Sequence, residues 1–189
     1  MIEKGNVISN ALTRLGNISD YNDDRSRTYQ ATDSILPLVL QKVCSDTSLN
    51  FSVSKVKLTQ YDKEVDGEYR FNLPVDFLGI AKRPKQRRSV SNRIIPVSME
   101  MAFAQRETMR LQGEFIYSEK SEITLYYNKK LPLSEFPDYM FDYITWKLAT
   151  EMALMYPQFT ERLQYCELKA SEALYDIQKA EGLGVAYGK

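Results

Sequence analysis

The spacing of the apolar residues changes twice along this chain, and each change bounds what can fold there. Up to Leu49 the apolar positions recur at helical spacing: Val7, Ile8, Leu12 and Leu15 in a first run, then Tyr29, Ile35, Leu36, Val39, Leu40, Val43 and Cys44 in a second. From Phe51 they alternate, through Val53, Val56 and Leu58, and from Ser134 the helical spacing returns almost to the end. Helix-spaced ends around a strand-spaced middle predict an α+β fold. About four helices, contributed by both ends of the chain, would form an antiparallel bundle, with a small antiparallel β module and a short helix inserted as one excursion. The expected segments are 1–50 for the N-terminal helices, 51–133 for the β-rich module, 134–181 for the long C-terminal helices and 182–189 for a flexible arm.

Punctuation residues sharpen these limits. Gly16 is a stop signal for a helix over 3–15, and the stretch SDYNDDRSRT supplies N-cap candidates for the next helix. Pro37 lies inside that second helix, so a kink near Asp33 and Ser34 or a break with a fresh first turn is expected. In the middle, the strand ending at Leu58 and the strand YRFNL read as an antiparallel pair joined by the turn DKEVDGE. Leu73-Pro74 then ends the ladder as a sheet-edge feature, because proline donates no backbone hydrogen bond. FLGIAK, RIIPV, GEFIYSE and EITLYYNKK read as further strands, and SMEMAFAQRETMR as a short helix capped by Ser98, giving one sheet of about five or six strands. SEFPDYMFDYITWKLATEMALMY reads as a central helix with Phe136, Met140, Ile144, Leu148 and Met152 in one row. Pro157 ends or kinks it, and Phe159, Leu163, Cys166, Ala170, Ala173 and Ile177 form the seam of a last helix.

The same residues narrow the chemistry. With no histidine among 189 residues, the commonest general base and metal ligand are missing, and with them the Ser-His and Cys-His mechanisms. No phosphate-cradling glycine motif or paired Cys-x-x-Cys occurs. The carboxylates Asp23 with Asp24, and Asp62, Glu64, Asp66 with Glu68, read as solvated turns, with a divalent cation as the other reading. An enzyme or a cofactor is not expected. Cys44 and Cys166 read as reduced core residues of a reducing compartment. There is no apolar leader core and no run of about 18 apolar residues, so neither secretion by a signal peptide nor a membrane span is expected.

Three surface features are left to carry function. The stretch 82–93 holds six basic residues, Lys82, Arg83, Lys85, Arg87, Arg88 and Arg93, and no acidic one. It reads as a solvated hairpin tip, as a contact for DNA phosphates or as a contact for an acidic partner surface. No aromatics interleave with it, which disfavours base stacking, and a formal net charge of +0 argues against general capture of nucleic acid. The row with Tyr139, Tyr143 and Trp146 reads as core packing of a central helix or as a subunit interface, where tyrosine and tryptophan tolerate half-burial. Gly182, Leu183, Gly184, Val185, Ala186, Tyr187 and Gly188 lack periodicity, and read as an unordered terminus or as an arm that orders on a partner.

Four stretches, taken in order, resemble the tail tubular protein A family, the head-to-tail connector (adaptor) ring proteins of short-tailed double-stranded DNA phages. They are NVISNALTRLGNI; ILPLVLQKVCSDTSLNFSVSKVKL, where the family has a helix ending in a Trp-Asn-Phe-Ala-like element; YRFNLPVDFLGI, similar to its Tyr-x-Tyr-x-Leu-Pro-x-Asp-x-Leu strand pair; and EITLYYNKKLPLSEFPDYMFDYITWKLATEMA. Leu49 stands where the family usually has tryptophan, and Phe77 where a smaller residue is common. The resemblance implies a virion structural protein of the neck or tail, assembled in the host cytoplasm as a homododecameric ring below the portal. It implies contact with the portal protein through 182–189 and with the downstream nozzle or tubular tail protein through the β module. Double-stranded DNA would pass non-specifically through the channel, with no membrane involved, and the basic loop would face the lumen or a partner. The alternative from another class is a nucleic-acid-binding regulatory protein using 82–93. A third reading, a carboxylate enzyme with a divalent metal, predicts metal-dependent stabilisation and turnover.

Overall fold

The computed structural model of the chain describes residues 1–17, 23–46, 49, 51–59, 61–63, 67–81 and 109–180. They fold as an α+β protein in two compact units. One unit takes the chain from Met1 to Phe51 and again from Leu131 onward; the other is the continuous stretch from Ser52 to Lys130.

The first unit is helical: α1 (Lys4–Arg14), α2 (Arg27–Ser45), α3 (Phe141–Met155) and α4 (Leu163–Ala180). α1 buries Val7, Ile8, Ala11 and Leu12, the face its spacing defines. It stops because Gly16 takes φ +83°, a left-handed conformation that glycine reaches without a Cβ penalty. Gly16 N–H then donates to Thr13 O at 2.9 Å, and Asn17 N–H to Leu12 O at 3.0 Å, which closes the last turn. α2 begins at Ser26, whose Oγ accepts from Tyr29 N–H at 3.0 Å. It continues through Pro37 to Ser45 with no break. Ile35, Leu36, Val39, Val43 and Cys44 are buried on both sides of the proline, and this packing outweighs the one helical hydrogen bond that proline removes.

α3 packs against α1, α2 and α4. It starts later than its spacing suggested, at Phe141 and not near Ser134. Pro137 is the reason: the residue before a proline is driven to extended backbone, and Phe136 has φ −72° and ψ 137°. Two short 3-10 turns, Leu133–Glu135 and Asp138–Met140, carry the chain instead. Phe136, Met140, Ile144, Leu148 and Met152 are nevertheless all buried. α3 ends before Pro157, a 3-10 stretch Pro157–Arg162 turns the chain, and α4 begins at Leu163. From the expected seam, Phe159, Cys166, Ala170 and Ile177 are buried, while Leu163 and Ala173 are half-buried. Cys44 and Cys166 form no disulfide and have no exposed surface.

The second unit contains β1 (Val53–Thr59), β2 (Asp62–Lys63), β3 (Tyr69–Asn72), β4 (Phe77–Ile80), β5 (Arg110–Gln112), β6 (Phe115–Ser118) and β7 (Glu122–Lys129). They form two antiparallel sheets, ordered β1-β7-β4 and β2-β3-β6-β5, where one sheet was expected. The expected pairing of the first two strands also fails. β1 pairs along its whole length with β7, from Val53 opposite Asn128 to Thr59 opposite Glu122. That register sets Val56 beside Leu125 and Leu58 beside Ile123 on the apolar face, which a short local hairpin could not match. The start of the expected turn, Asp62 and Lys63, pairs with β3 in its place. Arg110, expected to end a helix, is in β5, and Gly113 at φ +60° opens the two-residue hairpin to β6. Residues 98–108 of that expected helix and the strand RIIPV lie outside the described residues.

Leu73-Pro74 therefore marks a change of sheet, not a sheet edge. β3 belongs to the four-stranded sheet and β4 to the three-stranded one. Between them Phe77 N–H donates to Pro74 O at 3.0 Å. Asp76 clamps the turn to β7: its Oδ1 accepts from the Tyr127 hydroxyl at 3.0 Å, and its carbonyl from Lys130 N–H at 2.7 Å. The two sheets share one apolar cluster of Phe71, Ile116, Ile123, Leu125 and Tyr127.

Candidate interaction surface of the helical unit

Of the expected functional residues, Tyr139, Tyr143 and Trp146 fall among the described ones. The basic stretch 82–93 and the arm 182–189 lie outside them. Asp138–Met140 forms a 3-10 turn that holds Tyr139 at the entry to α3, 49% exposed, and Tyr143 and Trp146 follow on the first turns of α3, about 60° apart around the helix. Tyr143 is turned inward, 3% exposed, with its hydroxyl donating to Asp46 Oδ2 at 3.2 Å. Core packing describes it.

Trp146 is half-buried and organises its surroundings. The Arg14 guanidinium stacks 4.1 Å from its ring centroid, and Tyr165 meets it edge-on at 5.7 Å with an interplanar angle of 83°. Arg14 also pairs with the Asp142 carboxylate and donates to the Asp142 carbonyl at 3.1 Å. The end of α1 and the starts of α3 and α4 are thus joined through one indole. Beyond it runs an open groove between α3 and α4, lined by Tyr139, Trp146, Lys169, Glu172, Asp176 and Ile177. Tyr165, edge-on to Trp146 and 46% exposed, extends its apolar rim along α4. Lys169 bridges to Glu172 at 2.7 Å.

This surface is rich in the aromatic and arginine side chains that protein contacts favour. Aromatic and arginine side chains held in place by stacking lose little entropy when a partner covers them. Burial pushes the Cys166 thiol up, although Arg162 and Arg14 pull the other way, so it stays a neutral thiol. Among the described residues no three histidine, cysteine or carboxylate side chains gather where a metal ion could sit. Among them, too, no helix is long and apolar enough to cross a membrane. The carboxylates noted in the turns have local duties: Asp23 Oδ1 accepts from Arg25 N–H at 3.0 Å, Asp62 lies 3.8 Å from Arg70, and Glu68 pairs with Arg110 at 2.7 Å.

Sequence reasoning missed Arg14 and Tyr165 as partners of Trp146. It also missed the arginines of the four-stranded sheet, where Arg70 lies over Tyr61 and Phe115, at 5.2 and 4.8 Å, and Arg110 over Tyr117 at 4.8 Å. The strand register brings these residues together, and no local motif announces it. No protein-family model matches the chain, and no curated protein matches it.

Tyr143 supplies a pH test of the helical core. Burial, then the charge and hydrogen bond of Asp46, push its phenol above the ordinary value of 10.0. A group raised on folding stabilises fully below its unfolded pKa and loses that contribution as pH rises toward the folded one. Relative to Tyr143→Phe, the native chain should be about 1 kcal/mol more stable at pH 8. Above pH 10 this advantage should fall by ~1.4 kcal/mol per pH unit. Urea melts of both chains from pH 8 to 11 measure it, and parallel pH profiles would contradict the buried hydroxyl.

Proposed function

We propose that the chain is a virion structural protein of a short-tailed double-stranded DNA phage, the subunit of a dodecameric head-to-tail connector ring below the portal that links capsid to tail and extends the DNA channel. The observation that carries this reading is the order of the chain. Helices from both ends share one unit, residues 52–130 form a single β excursion, and the Leu-Pro-x-Asp stretch turns the chain between its two sheets. That order is the one the resemblance implies. The exposed Tyr139 and Tyr165 beside Trp146 suit a protein that works through contacts. A net charge of +0 suits a channel wall that passes DNA without holding it.

In this reading residues 182–189 reach the portal protein, the β module meets the next tail component, and the basic loop from Lys82 to Arg93 faces DNA or a neighbouring protein. Deleting 182–189 should leave the far-UV circular dichroism and melting temperature unchanged and abolish co-purification with the portal protein of the same particle. Retained co-purification removes the arm from the reading. Tight DNA binding with a steep salt dependence, lost when the six basic residues of 82–93 become alanine, would assign the chain to nucleic-acid regulation instead.

A further inference from the structure

We infer that the outer face of the four-stranded sheet is a platform for single-stranded nucleic acid, with Arg70 and Tyr61 as its anchors. This goes beyond the connector reading and does not depend on it. The strand register lays out the face. Phe71 and Ile116 point into the shared cluster, so their sequence neighbours point the other way. One row across the sheet is therefore Asp62, Arg70, Tyr117 and Arg110, and beside it lie Asn72, Phe115 and Gln112. Four strands span ~14 Å, room for a few nucleotides.

These two rows hold no aliphatic side chain, so they are not a core surface lacking its helix. Tyr61, Asn72, Arg110 and Gln112 are exposed, and Phe115 is half-buried. The two arginines differ in what holds them. Arg110 is satisfied within the chain: Nη1 donates to Gln112 Oε1 at 2.6 Å and Nη2 to Glu68 Oε2 at 2.7 Å, with its guanidinium over Tyr117. Arg70 is not. Its guanidinium lies 5.2 Å from the Tyr61 ring centroid and 4.8 Å from that of Phe115, and the Tyr61 N–H donates to Arg70 O at 2.8 Å. Its contact with Asp62, 3.8 Å, is longer than a hydrogen bond, and its Nε meets no acceptor among the described residues. A guanidinium fixed by rings and short of acceptors suits phosphate oxygens and the faces of unpaired bases.

Charge selects a polyanion as the occupant. Residues 52–130 hold 15 lysines and arginines against 10 aspartates and glutamates, and the rest of the chain holds 10 against 15. The formal +0 of the whole chain thus divides into +5 on the β unit and −5 on the helical one. Six of the 15 are the basic residues of 82–93, in the stretch that joins β4 to β5. On the face itself Asp62 and Glu68 offset Arg70 and Arg110, so the unit's charge draws in a polyanion while stacking and hydrogen bonding select it. An acidic protein would use the charge and leave the rings idle. In a duplex the base faces are closed, so a single strand fits best.

The test is fluorescence anisotropy of a labelled oligothymidylate titrated with the full chain and with Arg70→Ala, Arg70→Lys and Tyr61→Ala, each checked for native circular dichroism. The native chain should bind, and Arg70→Ala and Tyr61→Ala should each weaken binding about tenfold or more, the loss of one stacking contact. Arg70→Lys should stay nearly as weak as Arg70→Ala, because lysine keeps the charge and loses the planar fork. The same strand annealed to its complement should bind more weakly than alone. No anisotropy change up to ~0.1 mM protein, the weak end of non-specific binding, would overturn the inference. So would full affinity in Arg70→Ala and Tyr61→Ala, full rescue by lysine, or equal affinity for the duplex. Polyglutamate displacing the label as readily as unlabelled oligothymidylate would show a surface for acidic protein and overturn it too. The connector reading fails by a different observation, the absence of the chain below the portal, which leaves these titrations standing.

Discussion

Replacing Phe71 by alanine is expected to lower the stability of the protein by ~3–5 kcal/mol. Phe71 has no exposed surface and sits in the cluster with Ile116, Ile123, Leu125 and Tyr127 that the two sheets share. Its register explains the placement. Phe71 pairs with Ile116 across the four-stranded sheet, while Ile123 and Leu125 point to the same cluster from the three-stranded one. Removing the ring withdraws its apolar surface and leaves a cavity whose walls belong to strands held at both ends. A domain is commonly stable by only ~5–15 kcal/mol, so the loss is a large share of the total. Urea denaturation followed by circular dichroism measures it. Val75, at the fully exposed tip of the Pro74 turn, is the control, and Val75→Ala should stay within ~0.5 kcal/mol. A loss below ~1 kcal/mol for Phe71→Ala would mean that the sheets do not share this core.

Leu148→Ala should cost ~2–5 kcal/mol. Leu148 has no exposed surface on α3, the helix against which α1, α2 and α4 all pack. Its row neighbours Met140, Ile144 and Met152 are equally buried. A cavity there is bounded by several helices, and one of them cannot move in to fill it without breaking contact with another. Leu154, on the same helix but 58% exposed, should lose less than ~1 kcal/mol on the same change. Equal losses at the two positions, measured by urea melts, would contradict the inward row Phe136, Met140, Ile144, Leu148 and Met152.

Much of this row could be read before any coordinates, because helical spacing records which side of a helix meets its neighbours. The burial of Cys44 and Cys166 and the strands YRFN and EITLYYNK were legible for the same reason. Three things were not. The start of α3 was misplaced because the apolar spacing runs on through Phe136, while Pro137 sets that residue to extended backbone. Strand pairing was misjudged because alternation shows which face a strand buries and not which strand it joins. β1 joins β7, some seventy residues later, through a register that no local turn encodes. The partners of Trp146 were invisible for a related reason. Arg14 reaches Asp142 across a sequence separation of 128, and only the packing of α1 on α3 brings them together.

At the candidate surface, residue type was legible and direction was not. Tyr139, Tyr143 and Trp146 looked alike as aromatic positions near the start of one helix. Tyr143 is buried with its hydroxyl on Asp46, while Tyr139 and Trp146 line the groove. Tyr165 joined them only once α4 was laid against α3. Charges mislead in a similar way. The acidic turn read as solvated, yet Asp62 lies 3.8 Å from Arg70 and Glu68 pairs with Arg110.

The most direct measurement of the central claim is electron microscopy of the particle to which the connector reading assigns this chain, with symmetry-resolved averaging at the portal vertex. The connector reading predicts a twelve-fold ring below the portal into which the helices α1 to α4 fit, with residues 182–189 reaching the portal and the β module toward the tail. A portal vertex with no density for these helices at that level would contradict it.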